Sequence, residues 1–135
     1  MNIHKVIASG YCKGVINAIM QVEETLRRYP DKKIYVLGMI VHNNYVVKAL
    51  EKQGVITLNG EDKYQLIDSI DDGVLVFTAH GISDQIRQYA LDKKLIVVDA
   101  TCSDVIKNTN LIKDYLQKNC AFGCRHFLLK KIAKK

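Results

Sequence analysis

Two cysteines and two histidines stand in similar local surroundings at distant points of the sequence, at Cys12, His42, His80 and Cys102. Each follows a short apolar, β-branched run and precedes a stretch with the spacing of an amphipathic helix. Thiolates are ligands for soft metals and iron-sulfur clusters, and a histidine beside the unpaired N–H groups of a helix start suits a phosphate. Together the four residues predict a metal cluster beside an anion-binding pocket.

Taken singly, each of these residues also has a simpler interpretation. A lone cysteine in an α/β protein is usually a small buried hydrophobe, and a lone histidine at a strand end is usually a structural residue. Gly81, next to His80, could serve only to turn the chain. The hypothesis of one site therefore depends on the equivalent positions of all four residues, and Lys13 adds to it by favouring the thiolate of Cys12.

The elements that would bring these residues together are short β-branched runs that alternate with helical spacing, which is typical of strand-helix-strand units. Strands buried on both faces are predicted at residues 4–8, 33–37, 73–78 and 95–99. The carboxyl ends of parallel strands share one edge of a sheet, where ligands bind. The predicted fold class is α/β, a mostly parallel four-stranded sheet with flanking helices.

Four helices are predicted around these strands, each with its own boundary signal. The first has apolar residues at helical spacing and ends before Pro30. The second, over residues 44–53, has Asn43 as its cap, and the third runs from a Ser83 cap to about residue 92. One face of the fourth helix carries Val105, Thr109, Ile112 and Leu116.

Composition and charge exclude several classes of protein. With 135 residues, 48% of them hydrophobic and one proline, the chain predicts a single domain rather than disorder. No apolar run approaches the roughly 18 residues of a membrane span, and no secretory signal is recognisable, so a cytoplasmic protein without a membrane partner is expected. The formal charge of +6 includes four lysines in the last six residues and does not indicate nucleic acid.

The strings around the four residues resemble the motifs of a known family. Residues 9–15, SGYCKGV, are similar to the glycine-aromatic-cysteine-x-glycine-valine start of the 4-hydroxy-3-methylbut-2-enyl diphosphate reductases, the LytB-type iron-sulfur enzymes. Residues 41–47, 78–83 and 99–102 resemble the next three motifs in the same order, and the likeness extends to about residue 118. Ser103 departs from the family, in which a proline usually follows that cysteine.

The resemblance implies a role for each of the four residues. Cys12 and Cys102 would be two of the three cysteine ligands of a 4Fe-4S cluster, and His42 and His80 would bind the diphosphate of the substrate. The family removes the allylic hydroxyl reductively and forms isopentenyl and dimethylallyl diphosphate in the non-mevalonate isoprenoid pathway. Its electrons come from a ferredoxin or flavodoxin type donor. The family's proton-relay glutamate and third cysteine have no counterpart here, so no catalytic residue is assigned.

The resemblance also implies how the chain is divided. Residues 1–99 would form the first α/β lobe of a three-lobed family, and residues 100–118 would be the opening helix of the second lobe. Residues 119–135 match nothing expected next, so a divergent basic tail after truncation or a frameshift is predicted. Cys120 and Cys124 keep two interpretations, a substitute ligand pair helped by His126 or incidental cysteines in an out-of-register tail.

Three hypotheses about function follow from these observations. The chain is the reductase or a cluster-binding remnant of it, a non-redox α/β module that binds a phosphorylated small molecule, or an inactive truncated product. An iron-sulfur chromophore would support the first hypothesis, and diphosphate binding without a cluster would support the second. Protease sensitivity of residues 100–135 would support the third, because the opening helix of an absent lobe would lack a packing partner.

Overall fold

A computed structural model describes residues 10–117 as a parallel sheet between two layers of helices. The elements alternate along the chain as the β-branched runs and helical spacing require. In chain order they are α1 (Lys13–Arg28), β1 (Ile34–Leu37), α2 (Asn44–Glu51), β2 (Val55–Leu58), α3 (Lys63–Asp68), β3 (Val74–Phe77), α4 (Asp84–Asp92), β4 (Ile96–Asp99) and α5 (Ser103–Gln117).

The sheet has the strand order β2-β1-β3-β4, and all neighbouring strands are parallel. From β1 the chain first adds β2 on one side and then β3 and β4 on the other. The order therefore reverses between β1 and β3, and in sheets of this kind the crevice outside the carboxyl ends of the two strands is the usual ligand site. The predicted α/β class and the parallel sheet are confirmed.

Two apolar layers hold this edge of the sheet in place, because alternate strand residues point to opposite faces. On one face, β1 and β3 pack against α1 and α2 through buried residues such as Ala18 and Leu50. On the other face, Leu75 and Phe77 pack against α3 and α4, where Ala90 is fully buried. All four residues of β3 are buried, so the central strand is covered on both sides.

The four observed strands are not the four that the sequence predicts. Strands β1, β3 and β4 confirm the predictions at 33–37, 73–78 and 95–99, whereas the predicted strand at residues 4–8 lies outside the described residues. The fourth strand is β2, which the sequence analysis did not assign, and α3 was also missed. Both elements are short, with four and six residues, and β2 lies at the edge of the described sheet with Ile56 exposed, so neither has a clear periodicity of apolar residues.

Burial on both faces was predicted for every strand, and β4 shows that this is wrong. All four of its residues are half-buried, and among residues 10–117 its hydrogen-bonded neighbour is β3. The predicted apolar face of α5 is also only partly covered. Ile112 is 8% exposed, but Leu116, one turn further along, is 43% exposed.

The predicted helix boundaries are largely confirmed. The side chain of Asn43 accepts a hydrogen bond from the Tyr45 N–H at 2.9 Å, and that of Ser83 accepts one from the Ile86 N–H at 3.4 Å. Helix α1 ends at Arg28, two residues before Pro30. Among residues 10–117, no helix has the length and apolar character needed to cross a membrane. The predicted tail at 119–135 lies outside the described residues.

Candidate functional site

The two histidines of the sequence hypothesis meet at the point where the strand order reverses. His42 lies between β1 and α2, and His80 lies between β3 and α4. Their ring centroids are 5.8 Å apart, with an angle of 34° between the ring planes, and both residues are exposed. The pair therefore presents two imidazole rings to solvent at the crevice between the carboxyl ends of β1 and β3.

The turn after β3 sets the position of His80. The Gly81 N–H donates to the Thr78 carbonyl at 3.0 Å, and Gly81 has a φ of +75°, a conformation that costs glycine little. A Cβ at Gly81 would also lie 3.2 Å from Cγ2 of Thr101, in the loop before α5. Gly81 thus turns the chain, as the simpler interpretation held, and also lets the His80 loop approach the loop that carries Cys102.

The two cysteines are neighbours at the beginnings of α1 and α5. Cys12 and Cys102 are free thiols, and their carbonyl groups accept hydrogen bonds from Ile16 and Ile106 in the first turns of the two helices. Between them lies Gly14: a Cβ on this residue would be 2.6 Å from Sγ of Cys102 and 3.9 Å from Sγ of Cys12. The absence of a side chain at residue 14 therefore allows the two sulfur atoms to approach the same point.

Hydrogen bonds connect the cysteine loops to the histidine loops. The Cys102 N–H donates to the Ala79 carbonyl at 3.1 Å, directly before His80. On the other side, Nδ2 of Asn43 donates to the Tyr11 hydroxyl at 2.6 Å and so joins the residue after His42 to the residue before Cys12. The structure brings all four junctions together at one edge of the sheet. The roles of the four side chains as ligands stay predictions.

The thiols of Cys12 and Cys102 fit a part of an iron-sulfur ligand set. Soft thiolate ligands suit iron-sulfur clusters, and the room beside Gly14 lies next to both sulfur atoms. Within residues 10–117, no group of three side chains is placed to hold a metal ion, so further ligands would have to come from elsewhere. Cys120, Cys124 and His126 lie outside the described residues, and the two interpretations of that segment stay open.

Asp99, the last residue of β4, fixes the turn that leads to Cys102. Its Oδ1 accepts hydrogen bonds from the Thr101 N–H at 3.0 Å and from the Thr101 hydroxyl, and its Oδ2 accepts one from Nη2 of Arg87 at 2.6 Å. Burial alone would raise the pKa of the Asp99 carboxyl, but these hydrogen bonds outweigh it and hold the pKa below its usual value. Asp99 is therefore an ionised acceptor at neutral pH.

The four side chains with metal- or anion-binding chemistry were predictable from the sequence, but the residues that position them were not. Tyr11, Gly14 and Asp99 appeared only as letters of motifs, and Arg87 did not appear at all. Gly14 had a usable signal, because glycine is a poor helix former and its presence in the first turn of α1 indicates a need for close approach. The contacts of Tyr11 and Arg87 join elements distant in sequence, and no local pattern indicates them.

Comparisons with known proteins agree with this architecture. The model of the LytB protein family matches residues 3–123. A 4-hydroxy-3-methylbut-2-enyl diphosphate reductase of Brevibacillus brevis is 47% identical over 115 residues, and that of Bacillus subtilis is 40% identical over 119 residues. A solved reductase structure from Plasmodium falciparum matches 82% of this chain with a TM-score of 0.69 and 44% identity.

The matched region is only a part of these relatives. It covers 84% of this chain but 37% of the Brevibacillus protein, and 87% of this chain but 38% of the Bacillus subtilis protein. It covers 33% of the Plasmodium chain. The chain therefore spans well under half the length of the reductases that it matches.

Proposed function

Because the chain belongs to the LytB family, we propose that it carries part of the cluster and substrate site of a 4-hydroxy-3-methylbut-2-enyl diphosphate reductase. The reaction would be the reductive removal of the allylic hydroxyl, giving isopentenyl and dimethylallyl diphosphate. The observation that carries the proposal is the meeting of two imidazoles and two thiols where the strand order reverses.

In this proposal Cys12 and Cys102 supply two of the cysteine ligands of a 4Fe-4S cluster. Their thiols lie beside the same space at Gly14, and each opens a long helix whose unpaired N–H groups favour negative charge. When bound, such a cluster supplies electrons and an iron that can act as a Lewis acid on the allylic oxygen. The two residues themselves hold the cluster and fix its position relative to the histidines.

His42 and His80 bind the diphosphate in this proposal. Both are exposed and both precede a helix, so their ring N–H groups can donate to the same anion, together with those first-turn N–H groups of α2 and α4 that the caps Asn43 and Ser83 leave available. A diphosphate lies away from the reacting carbon, and its binding energy can be used to orient the substrate. The two histidines therefore act as clamps, and neither has to move a proton.

The proposed reaction also determines what kind of electron donor the protein needs. Two electrons are needed for each hydroxyl removed, and a small one-electron carrier of the ferredoxin or flavodoxin type fits that need. Cys12 and Cys102, one exposed and one half-buried, are free thiols that favour a reducing compartment, so we place the protein in the cytoplasm. The proposal includes no nucleic-acid or membrane partner.

A non-redox module that binds a phosphorylated small molecule is the second candidate function. It is favoured by one observation, the exposed pair of His42 and His80 at the crevice between β1 and β3, which can hold an anion without any metal ligand. Under this alternative the histidine pair binds the anion and the thiols have no ligand role. The two candidates differ in their dependence on iron but share the same anion site.

Replacing either histidine by alanine is expected to weaken diphosphate binding by about tenfold, because each ring provides one clamp of the anion, and a tenfold change is about 1.4 kcal/mol. Isothermal titration calorimetry of the iron-free chain with inorganic diphosphate measures this directly. The variants are His42→Ala and His80→Ala. Lys48→Ala is the control, because it removes a cation from the last turn of α2, at the opposite end of the helix from His42.

The binding result is read together with anaerobic loading of the same chain with iron and sulfide. Diphosphate binding that depends on both histidines, with a brown iron-sulfur chromophore, supports the reductase site. The same binding with no uptake of iron favours the non-redox module. If neither histidine variant binds more weakly than Lys48→Ala, the proposed anion site is wrong.

A further inference from the structure

The turn that presents Cys102 is held by a residue outside the four motifs. Arg87 lies in α4 and donates to Asp99, the last residue of β4, while its guanidinium lies 5.6 Å from the ring centroid of Phe77. Phe77 is 1% exposed and is paired in register with Asp99 on the neighbouring strand. Arg87 therefore spans the ends of β3 and β4 at the edge of the sheet where the site lies.

We propose that Arg87 is a positioning residue for the Cys102 thiol. It holds one oxygen of Asp99, and the other oxygen of Asp99 holds both the N–H and the hydroxyl of Thr101, directly before Cys102. With Asp99 fixed, the turn can present Cys102 toward Gly14 and Cys12. Any consequence of this positioning for iron binding rests on the proposed function, whereas the position of the Cys102 thiol does not depend on it.

The burial of this ion pair makes it more effective than other ion pairs at the surface. The side chains of Arg87 and Asp99 are 35% and 26% exposed, so solvent screens the pair less than the 44% and 75% exposed pair of Lys113 and Asp84. Charge-assisted hydrogen bonds in such surroundings are the stronger ones. The pair of Lys113 and Asp84, which joins α5 to the beginning of α4, is therefore a matched control.

Arginine has two properties here that lysine lacks. Its planar guanidinium can lie against the Phe77 ring and at the same time direct an N–H at Asp99, whereas lysine supplies a single point charge on a flexible stem. Lysine at this position should keep the contact with the carboxylate but lose the fixed placement of a planar group over the Phe77 ring. Arg87→Lys is therefore expected to restore part of what Arg87→Ala removes.

The test measures how fast iodoacetamide alkylates each thiol in the iron-free full chain, with Cys120→Ser and Cys124→Ser in every sample. Mass spectrometry of the peptides gives the rates of Cys102 and Cys12 separately. Arg87→Ala is expected to raise the Cys102 rate at least about threefold, because the loosened turn exposes a half-buried thiol. The Cys12 rate should stay unchanged, Arg87→Lys should give an intermediate Cys102 rate, and Lys113→Ala should change neither rate.

Thr101→Val provides a second, milder variant that removes only the hydroxyl contact with Asp99. It should also raise the Cys102 rate selectively, even if Arg87→Ala folds poorly. Equal increases at both cysteines in the two variants, or no increase at Cys102, would overturn the positioning role. Because the chain is free of iron throughout, this result does not depend on whether it binds a cluster, and failure of the proposed function would appear only in the loading experiment.

Discussion

Replacing Cys12 or Cys102 by serine is expected to reduce the iron and sulfide that the chain takes up anaerobically to less than about a tenth of the unsubstituted level. The thiolate is the ligand for iron, and a serine hydroxyl at the same position is harder and is not ionised at neutral pH. The two sulfur atoms lie beside the same space at Gly14, so the loss of either one removes a contact that the other cannot replace. Iron content per chain and the visible absorbance of the chromophore measure the effect.

The controls for this prediction are Cys120→Ser and Cys124→Ser. They make the same chemical change outside the four motifs and also separate the two interpretations of that segment. If both leave the iron content unchanged, these cysteines are incidental, and if both abolish it, they are a substitute ligand pair. Full iron uptake by both Cys12→Ser and Cys102→Ser would show that the paired thiols of the described residues do not hold the cluster.

Gly14→Ala is expected to abolish cluster uptake almost as completely as loss of a cysteine, although it removes no ligand. The added Cβ would lie 2.6 Å from Sγ and 2.9 Å from Cβ of Cys102, closer than real side-chain contacts. The thiol alone cannot relieve this overlap, because Cβ of Cys102 is attached directly to the backbone. The loop before α5 must therefore move away from α1, and the two sulfur atoms separate.

The effect of Gly14→Ala on stability should be much smaller than its effect on the site. Overpacking costs about 1–3 kcal/mol, and alanine in place of glycine at the second residue of α1 offsets less than the roughly 1 kcal/mol of a helix interior. The free energy of unfolding should therefore fall by about 3 kcal/mol or less, measured by urea denaturation followed by circular dichroism. Gly60→Ala, outside the four motifs, is the control, because a Cβ there would make only an ordinary contact, 3.5 Å from the side chain of Leu66. Unchanged iron uptake by Gly14→Ala would contradict the close approach of the two loops.

Local patterns were sufficient to predict much of the fold. A few adjacent residues are enough to indicate the strands β1, β3 and β4 and the helix caps Asn43 and Ser83. The structure has these features where the sequence predicted them. Elements β2 and α3 were not predicted, because segments of four and six residues are too short to show a clear periodicity of apolar residues. The strand order was also not available from the sequence, since it depends on which distant strands pair.

For the candidate site too, the features that depend on adjacent residues were predictable and those that depend on contacts between distant residues were not. The sequence indicated which side chains could do chemistry, because each stands at a strand-to-helix junction. It did not indicate that β1 lies beside β3, which is the arrangement that brings the rings of His42 and His80 to 5.8 Å. Nor did it indicate the bond from Asn43 to Tyr11 or the approach of Cys102 to Gly14, which depend on how the finished layers pack.

The adjacency of Cys12 and Cys102 can be measured directly with a short bifunctional thiol reagent such as dibromobimane. The native, iron-free chain carries Cys120→Ser and Cys124→Ser, so that only these two thiols react. A cross-linked pair of peptides containing Cys12 and Cys102 is expected as the main product under native conditions, with much less of it in urea. Modification of each thiol separately, with no more cross-link in the native chain than in urea, would contradict a shared site at the edge of the sheet.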